Sequence, residues 1–366
     1  MREALALAER AIGLSEPNPR VGCVLLDADG KTIGRGSTQE AGGPHAEVMA
    51  LRDAHAGGHG DRIRGGTAVV TLEPCSHHGR TPPCADPLIA AGVARVVVAM
   101  RDPNPLVAGA GLARLAAAGV AVEAGPFGED AAALNVGFVS RMVRGRPFVR
   151  LKAAVSLDGR TALPDGTSRW ITGEAARADG HAWRRRAGAI LTGAGTVRED
   201  DPRLDVRLVP TAVQPLRVVV DARLRTAPEA RILEPPGAVL VVAAADDPLA
   251  RAARAARAAL EARGAEVVLL PSAAGRVDLA ALLAELARRG VNELHVEAGE
   301  RLNGSFLREG LVDELLVYVA PVLLGEGRAL AALGPFAAVA DGPRFDLLET
   351  VAFGGDLRLR LRPPTI

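Results

Sequence analysis

Three positions far apart in this chain have to meet if the sequence is to make chemical sense: His45, Cys75 and Cys84. His45 opens the triplet His45-Ala46-Glu47, Cys75 follows Pro74, and Cys84 closes the run T-P-P-C. One imidazole and two thiolates are a zinc donor set, and three protein ligands leave the fourth position open, as in catalytic rather than structural sites. Zinc held this way lowers the pKa of a coordinated water to about 7. Glu47 stands two residues past His45, near the start of an expected helix, where a carboxyl can move protons without ligating. A fold must therefore carry one helix start and one strand end to the same point.

The H-x-E triplet alone carries little weight. It gains specificity beside Thr71-Leu72-Glu73-Pro74-Cys75, which follows an apolar stretch. Together they give the layout of zinc nucleobase deaminases, in which a Glu that is not a ligand serves as general acid and base. A purely stabilising zinc site needs a fourth ligand. His77 and His78 are the only nearby candidates, and their place between the cysteines suits a pocket lining better. Cys23, in the run Val21 to Leu26, reads as an inert buried thiol. With two of three cysteines assigned to metal, no disulfide framework remains, and a reducing compartment is expected.

The 366 residues suggest two domains. A formal charge of +1 supplies no general basic field for nucleic acid. The opening M-R-E-A-L-A-L-A-E-R is too short and too charged for a signal peptide. No uncharged run approaches the roughly 18 residues of a membrane span. A soluble cytoplasmic protein is expected.

Residues 2–14 read as a helix. Val21–Leu26 and Thr32–Gly36 form a hairpin around a D-x-D-G turn. A helix over 45–55, a strand over 67–72 and further alternation of strand and helix to residue 123 imply an α/β sandwich. Ala131–Met142 reads as one closing helix. Arg144-Gly145-Arg146-Pro147 is a polar break, which places a zinc-dependent domain at 1–145 and a second α/β domain at 146–366. The second domain opens with a strand over 148–155. Its apolar runs near 189, 216, 238, 266, 293 and 314 alternate with helical segments, and Asp356–Arg362 is a half-exposed terminal strand. Lysine is rare, with only Lys31 and Lys152. Lys152 lies inside the run Phe148 to Val155, where a charge needs a partner or a task. No G-x-G-x-x-G follows a strand, so a Rossmann fingerprint is missing. Gly193-Ala194-Gly195-Thr196 and the segment from Val296 to Ser305 instead pass from strand to helix through glycines, where backbone N–H groups can hold an anion.

Taken together, these motifs resemble the bifunctional deaminase/reductase family of riboflavin biosynthesis. The resemblance runs through Pro17-Asn18-Pro19, Pro44-His45-Ala46-Glu47, T-L-E-P-C-S-H-H-G-R-T-P-P-C over 71–84 and Asp102-Pro103-Asn104-Pro105. In the second half it runs through S-L-D-G-R-T (156–161), Ser168 to Thr172, Asp200-Asp201-Pro202 and V-E-A-G (296–299). It implies a cytidine-deaminase-like α/β/α sandwich followed by a dihydrofolate-reductase-like α/β domain. It also implies hydrolytic deamination of 2,5-diamino-6-(5-phosphoribosylamino)pyrimidin-4-one. NADPH reduction of the product's ribosyl group to ribityl would follow, giving 5-amino-6-(5-phosphoribitylamino)uracil.

By matching position, the resemblance implies zinc on His45, Cys75 and Cys84, and Glu47 as acid/base. Asn18, Arg80, Asp102 and Asn104 would frame the pyrimidine or its phosphate. Ser168, Arg184, Leu204, Arg207 and Glu297 would contact the reductase substrate. Ala154, Trp170, Thr196, Asp200 and the segment Gly299, Glu300, Arg301, Leu302, Asn303, Gly304 and Ser305 would hold NADP. Lys152 would face the sugar and act catalytically. Thr38 departs from the family, many members of which carry a His there, and Glu16 stands where some carry another. The expected partners are the small phosphoribosylaminopyrimidine and further copies of the chain in a homo-oligomer, with neither nucleic acid nor membrane. Two rival readings remain: a tRNA adenosine-type deaminase, and a reductase carrying a degenerate deaminase scaffold. Balanced charge and a second domain oppose the first, and the intact Glu47 opposes the second.

Overall fold

A computed structural model describes residues 1–76, 83–105, 107–249 and 253–364. The chain forms two compact units, Met1–Arg146 and Pro147–Ile366.

In the first unit the described strands are β1 (Gly22–Leu26), β2 (Thr32–Ser37), β3 (Thr67–Val70), β4 (Arg95–Val98) and β5 (Ala121–Ala124). They form a sheet in the order β2-β1-β3-β4-β5, antiparallel around β1 and parallel from β3 to β5. The period-2 alternation of β1 sends Cys23 and Leu25 to one face and Val24 to the other. Val24 packs with Ala4 and Leu7 of α1 (Arg2–Glu9). Cys23 and Leu25 share a core with α2 (Ala46–Ala56) and α3 (Ala85–Ala90). The result is helix, sheet and helix in layers. Helices α4 (Ala110–Ala117), α5 (Gly128–Leu134) and α6 (Val136–Arg144) complete it.

Helix α2 lies unusually close to β2, and glycine makes that approach possible. A Cβ on Gly36 would collide with the backbone carbonyl of Ala46, and one on Gly34 with that of Ala50. This packing fixes the start of α2, and with it His45 and Glu47, against the sheet.

Two expectations need correction here. The helix expected over 2–14 ends at Glu9 and continues as turns. The single closing helix is two, broken at Asn135. The Asn135 amide is turned to the backbone of Arg20, accepting its N–H at 2.7 Å and donating to its carbonyl at 2.9 Å.

In the second unit the larger sheet comprises β6 (Phe148–Ser156), β8 (Ala189–Gly193), β9 (Leu216–Val220), β10 (Val239–Ala244), β11 (Ala265–Leu270), β14 (Glu293–Val296), β15 (Glu314–Ala320), β17 (Asp346–Phe353) and β18 (Asp356–Arg362). The order is β11-β10-β9-β8-β14-β6-β15-β18-β17, parallel from β11 to β15 and antiparallel beyond. Two small ribbons accompany it: β7 (Arg160–Ala162) with β16 (Arg328–Ala329), and β12 (Ser272–Ala273) with β13 (Arg276–Val277). The helices are α7 (Glu174–Arg186), α8 (Ala194–Asp200), α9 (Arg254–Ala262), α10 (Leu279–Arg288) and α11 (Glu300–Arg308). For the helix expected over 247–263, the described part is α9; residues 250–252 lie outside the described residues.

The central strands have one apolar and one charged face. Val149, Leu151, Leu294 and Val296 join the main core with Leu282, Leu286 and Phe306 of α10 and α11. The opposite face carries Arg150 and Lys152 on β6, Glu293 and His295 on β14, and Glu314 on β15. Buried charges need partners. Arg150 bridges Glu293 at 2.8 Å and Glu314 at 2.6 Å, and Arg186 of α7 adds a second cation on Glu293 at 2.9 Å. The Arg150 guanidinium also lies 4.4 Å from the ring centroid of Trp183 on α7. Lys152 therefore continues a buried ionic face.

Candidate functional site

The first candidate site sits where α2 begins, β3 ends and α3 begins. His45 occupies the N-cap position of α2. Cys75 lies five residues beyond β3, and Cys84 stands immediately before α3. His45 Nδ1 lies 3.1 Å from Cys84 Sγ and 3.6 Å from Cys75 Sγ, and the three donor atoms fall within 4.8 Å of one another. Those separations suit a tetrahedron built on bonds of about 2.0–2.3 Å. The backbone N–H of Cys84 donates to Cys75 Sγ at 3.2 Å, which favours a thiolate. A hydrogen bond from Cys84, aided by His45, draws the Cys75 thiol down to about 4. Cys84, hydrogen-bonded to Cys75 and buried, is driven up. Without a cation the two thiols thus hold one proton between them, and a divalent cation would remove that penalty. The donor set fits zinc.

Glu47 lies in the first turn of α2, 3% exposed. Burial, reinforced by the Cys75 thiolate, raises its carboxyl from 4.5 to about 7. Beside the donor cluster but outside it, this carboxyl is placed to accept and return protons. Cys23 lies beneath it, fully buried, with its thiol pushed up by burial and by Glu47.

Sequence reasoning missed Glu73. Its carboxylate is buried and accepts four backbone N–H groups: Asp102 at 3.1 Å and Gly109 at 3.0 Å on one oxygen, Gly111 at 2.9 Å and Leu112 at 3.3 Å on the other. Two residues before Cys75, it ties the segment containing Asp102 and Asn104 to the metal loop. Asp102 Oδ1 in turn accepts the Asn104 N–H at 2.8 Å. Only the T-L-E-P-C motif could have signalled this role. Asn18 is half-buried, its backbone carbonyl taken by Ser15 Oγ at 3.2 Å. Arg80, with His77 and His78, lies outside the described residues. Thr38 is buried, and its hydroxyl is bonded to the backbone of Val21.

The second candidate site lies at the C-terminal ends of β8 and β14, beside the middle of β6. Lys152 Nζ is 3.7 Å from Glu297 Oε2. Glu297 also receives Arg184 through Nε at 2.5 Å and Nη2 at 2.9 Å, and His295 Nε2 lies 3.2 Å away. Burial opposes ionisation of Glu297, but Arg184 and Lys152 outweigh it and hold the carboxyl well below its ordinary range. Burial draws the Lys152 ammonium down, against the pull of Glu297. Arg184 Nη1 donates to the Asp205 carbonyl at 3.1 Å, so most of its donors are committed. Arg207 pairs with Asp205 at 2.6 Å and is far more open. Leu204, just before Asp205, is buried with φ +47°.

Parallel pairing of β8 with β14 sets the two glycine turns side by side. A Cβ on Gly299 would meet Thr196 Oγ1 at 3.6 Å, and one on Gly193 would meet Leu302 at 3.3 Å. The starts of α8 and α11 thus adjoin, and their N–H groups suit an anion such as a dinucleotide phosphate. A nearby cavity of about 560 Å³ is lined by Ser168, Arg169, Asp200 and Arg231, among others. Arg169 donates to the Asp200 carbonyl. Trp170 is exposed, with Arg177 stacked 4.5 Å from its ring centroid, and Ala154 is half-buried. Within α11 the buried residues are Asn303, Gly304 and Phe306. Asn303 donates to the Leu330 carbonyl at 2.9 Å, Glu300 accepts Ala329 N–H at 3.2 Å, and Ser305 donates to the Arg301 carbonyl at 3.2 Å. Gly304 faces the Ala332 carbonyl, with no room for a Cβ. In this arrangement α11 offers backbone and Gly299 to a ligand, while Asn303 and Gly304 secure the 329–332 segment.

The comparisons follow this division. Residues 1–100 match the cytidine and deoxycytidylate deaminase zinc-binding region, and residues 147–359 match the RibD C-terminal domain. The riboflavin biosynthesis protein RibD of Escherichia coli K12 is 46% identical, over 99% of this chain and 98% of that protein. The chain belongs to the RibD family. Acinetobacter baumannii RibD superposes with a TM-score of 0.89 at 44% identity, covering 100% of this chain and 98% of that one. The Thermotoga maritima RibD-type protein, described as a diaminohydroxyphosphoribosylaminopyrimidine deaminase/5-amino-6-(5-phosphoribosylamino)uracil reductase, gives 0.86 at 32% identity, covering 100% and 97%. A zinc-binding deaminase domain joined to a RibD reductase domain implies zinc and a nicotinamide cofactor. No helix among the described residues is long and apolar enough to cross a membrane.

Proposed function

We propose that residues 1–145 deaminate 2,5-diamino-6-(5-phosphoribosylamino)pyrimidin-4-one and residues 146–366 reduce the ribosyl group of the product with NADPH. The observation that carries the first step is the three-donor cluster with a buried carboxyl beside it. Bound zinc supplies Lewis acidity, lowering the pKa of a coordinated water toward neutrality. His45, Cys75 and Cys84 would hold it. Glu47 would take the two protons of the attacking water in turn, passing the first to the ring nitrogen and the second to the amino group that leaves as ammonia. Asp102 and Asn104, held in register by Glu73, orient the pyrimidine, with Asn18 and Arg80 assigned to the same frame.

In the second unit NADPH supplies the hydride. Backbone at the starts of α8 and α11, with Ala154, Trp170, Thr196 and Asp200, holds the dinucleotide. Lys152, desolvated and beside Glu297, delivers the proton that accompanies reduction of the ring-opened sugar. Ser168, Arg184, Leu204, Arg207 and Glu297 contact the substrate, and the Arg184 and Arg207 guanidiniums suit its phosphate through charge-assisted bonds.

The same reading makes the enzyme cytoplasmic and acting on a free small molecule, consistent with a net charge of +1. Self-association would cover Leu347 and Leu348, exposed on β17 at the edge of the large sheet. The test is one assay with two readouts on zinc-loaded protein given the diaminopyrimidinone ribosyl phosphate. Ammonia release followed by an equal loss of NADPH is expected. NADPH loss without prior ammonia would reverse the proposed order, and silence in both channels would overturn the substrate.

A further inference from the structure

Helix α7 carries His181 one turn ahead of Arg184, and the ring is buried. Its Nδ1 accepts the backbone N–H of Arg207 at 3.1 Å, across 26 residues of sequence. An amide N–H can only donate, so this bond requires the lone pair on Nδ1 and assigns the neutral ring's hydrogen to Nε2. Arg184 Nη1 lies 3.4 Å from Nε2. It too can only donate, so the shorter bond decides the tautomer and the longer contact sets two donors side by side. Burial, reinforced by Arg184 and Arg207, lowers the ring to about 3, so the neutral form persists at neutral pH.

The segment that His181 holds is also fixed from other directions. Asp205 is buried, and its carboxylate takes Arg207 Nη1 at 2.6 Å and Arg203 Nε at 3.1 Å. Val206 is gripped on both backbone atoms by the Gln214 amide, at 2.8 Å each. Leu204 adopts a left-handed backbone, which a leucine takes only where its surroundings impose it. Residues 203–207 lie in no strand. Side chains, not a ladder, set their course, and the Arg207 guanidinium at its end is 45% exposed.

We infer that His181 is a positioning residue for phosphate recognition in the reductase: it anchors the Arg207 backbone so that the Arg207 guanidinium stands beside Arg184 to take the substrate's phosphate. The inference rests on the reading above that this arginine pair meets that phosphate. A positioning role through Arg207 differs from a general structural one because it depends on the phosphate being present. His181→Ala removes the acceptor. His181→Asn restores an oxygen close to the place of Nδ1, whereas His181→Gln does not.

The experiment compares reductase KM and kcat for 5-amino-6-(5-phosphoribosylamino)uracil and for its dephosphorylated counterpart. Wild type, H181A, H181N, H181Q and R207A are measured, with NADPH binding as the check that the reductase unit is folded. H181A and H181Q should raise KM for the phosphorylated substrate about tenfold, the order set by one lost buried bond. They should leave kcat and the dephosphorylated substrate within twofold, and H181N should recover most of the loss. Equal losses on both substrates, or no rescue by Asn, would overturn the role of His181 while R207A still discriminates the phosphate. If R207A also fails to discriminate, the assignment of the arginine pair falls, and this inference falls with it.

Discussion

Replacing Glu47 by Gln separates proton transfer from metal binding. The variant keeps the side chain's volume at a position 3% exposed, and Glu47 is outside the donor cluster, so zinc content should match wild type. The loss is the general acid–base contribution, about 10²- to 10⁴-fold in ammonia release, or roughly 3–5 kcal/mol of barrier. Stability should move the other way. In zinc-free protein burial, with the Cys75 thiolate beside it, raises the Glu47 carboxyl from 4.5 to about 7. A carboxyl raised by folding contributes its stability in full below the unfolded value and loses it as pH climbs through the folded one. At 1.36 kcal/mol for each pH unit that loss amounts to about 3 kcal/mol. Glutamine never ionises, so zinc-free E47Q should exceed wild type by about 3 kcal/mol at pH 8.5, and by well under 1 kcal/mol at pH 4.5. Metal analysis, ammonia release and urea unfolding at the two pH values test all three parts. Ammonia release near the wild-type rate, or loss of zinc, would refute the assignment of Glu47.

Lys152→Met should abolish NADPH oxidation and spare ammonia release; unchanged reductase turnover would remove Lys152 from the mechanism. Stripping zinc with a chelator should stop ammonia release, yet leave NADPH oxidation intact when the deaminated intermediate is supplied directly. A parallel fall in both activities would contradict separate sites. Glu73→Gln replaces one carboxylate oxygen by an amide that can only donate toward backbone N–H groups. Bonds to a charged acceptor are worth about 1.5–3 kcal/mol each, so deaminase kcat/KM should drop at least tenfold with zinc retained. Wild-type kinetics in that variant would show that the 102–112 segment needs no such anchor.

What could be read in advance followed from local pattern. The runs that became β1, β9, β14 and β18 alternate or cluster apolar residues because each has at least one buried face, and the structure places strands where those runs were expected. β17 escaped notice because it is an edge strand whose residues are mostly exposed on both faces, so no two-residue period marks Asp346–Phe353. The break at Asn135 was equally hidden, since its cause is Arg20, 115 residues away in sequence.

The candidate sites divide in the same manner. Sequence by itself determined the chemistry of the first one: an imidazole, two thiols and a carboxyl at telling spacings name a metal and a proton carrier before any fold is known. It also marked Lys152 as a charge in an apolar run. Tertiary structure alone decided which groups support those residues. Glu73 became the anchor of the Asp102 segment, Arg184 was committed to Glu297, Asn303 was turned to Leu330, and His181 was set behind Arg207. Ligand types recur at short spacings because chemistry demands them. A supporting partner is whatever donor or acceptor the parallel crossovers bring within about 3 Å, and sequence distance carries no record of that.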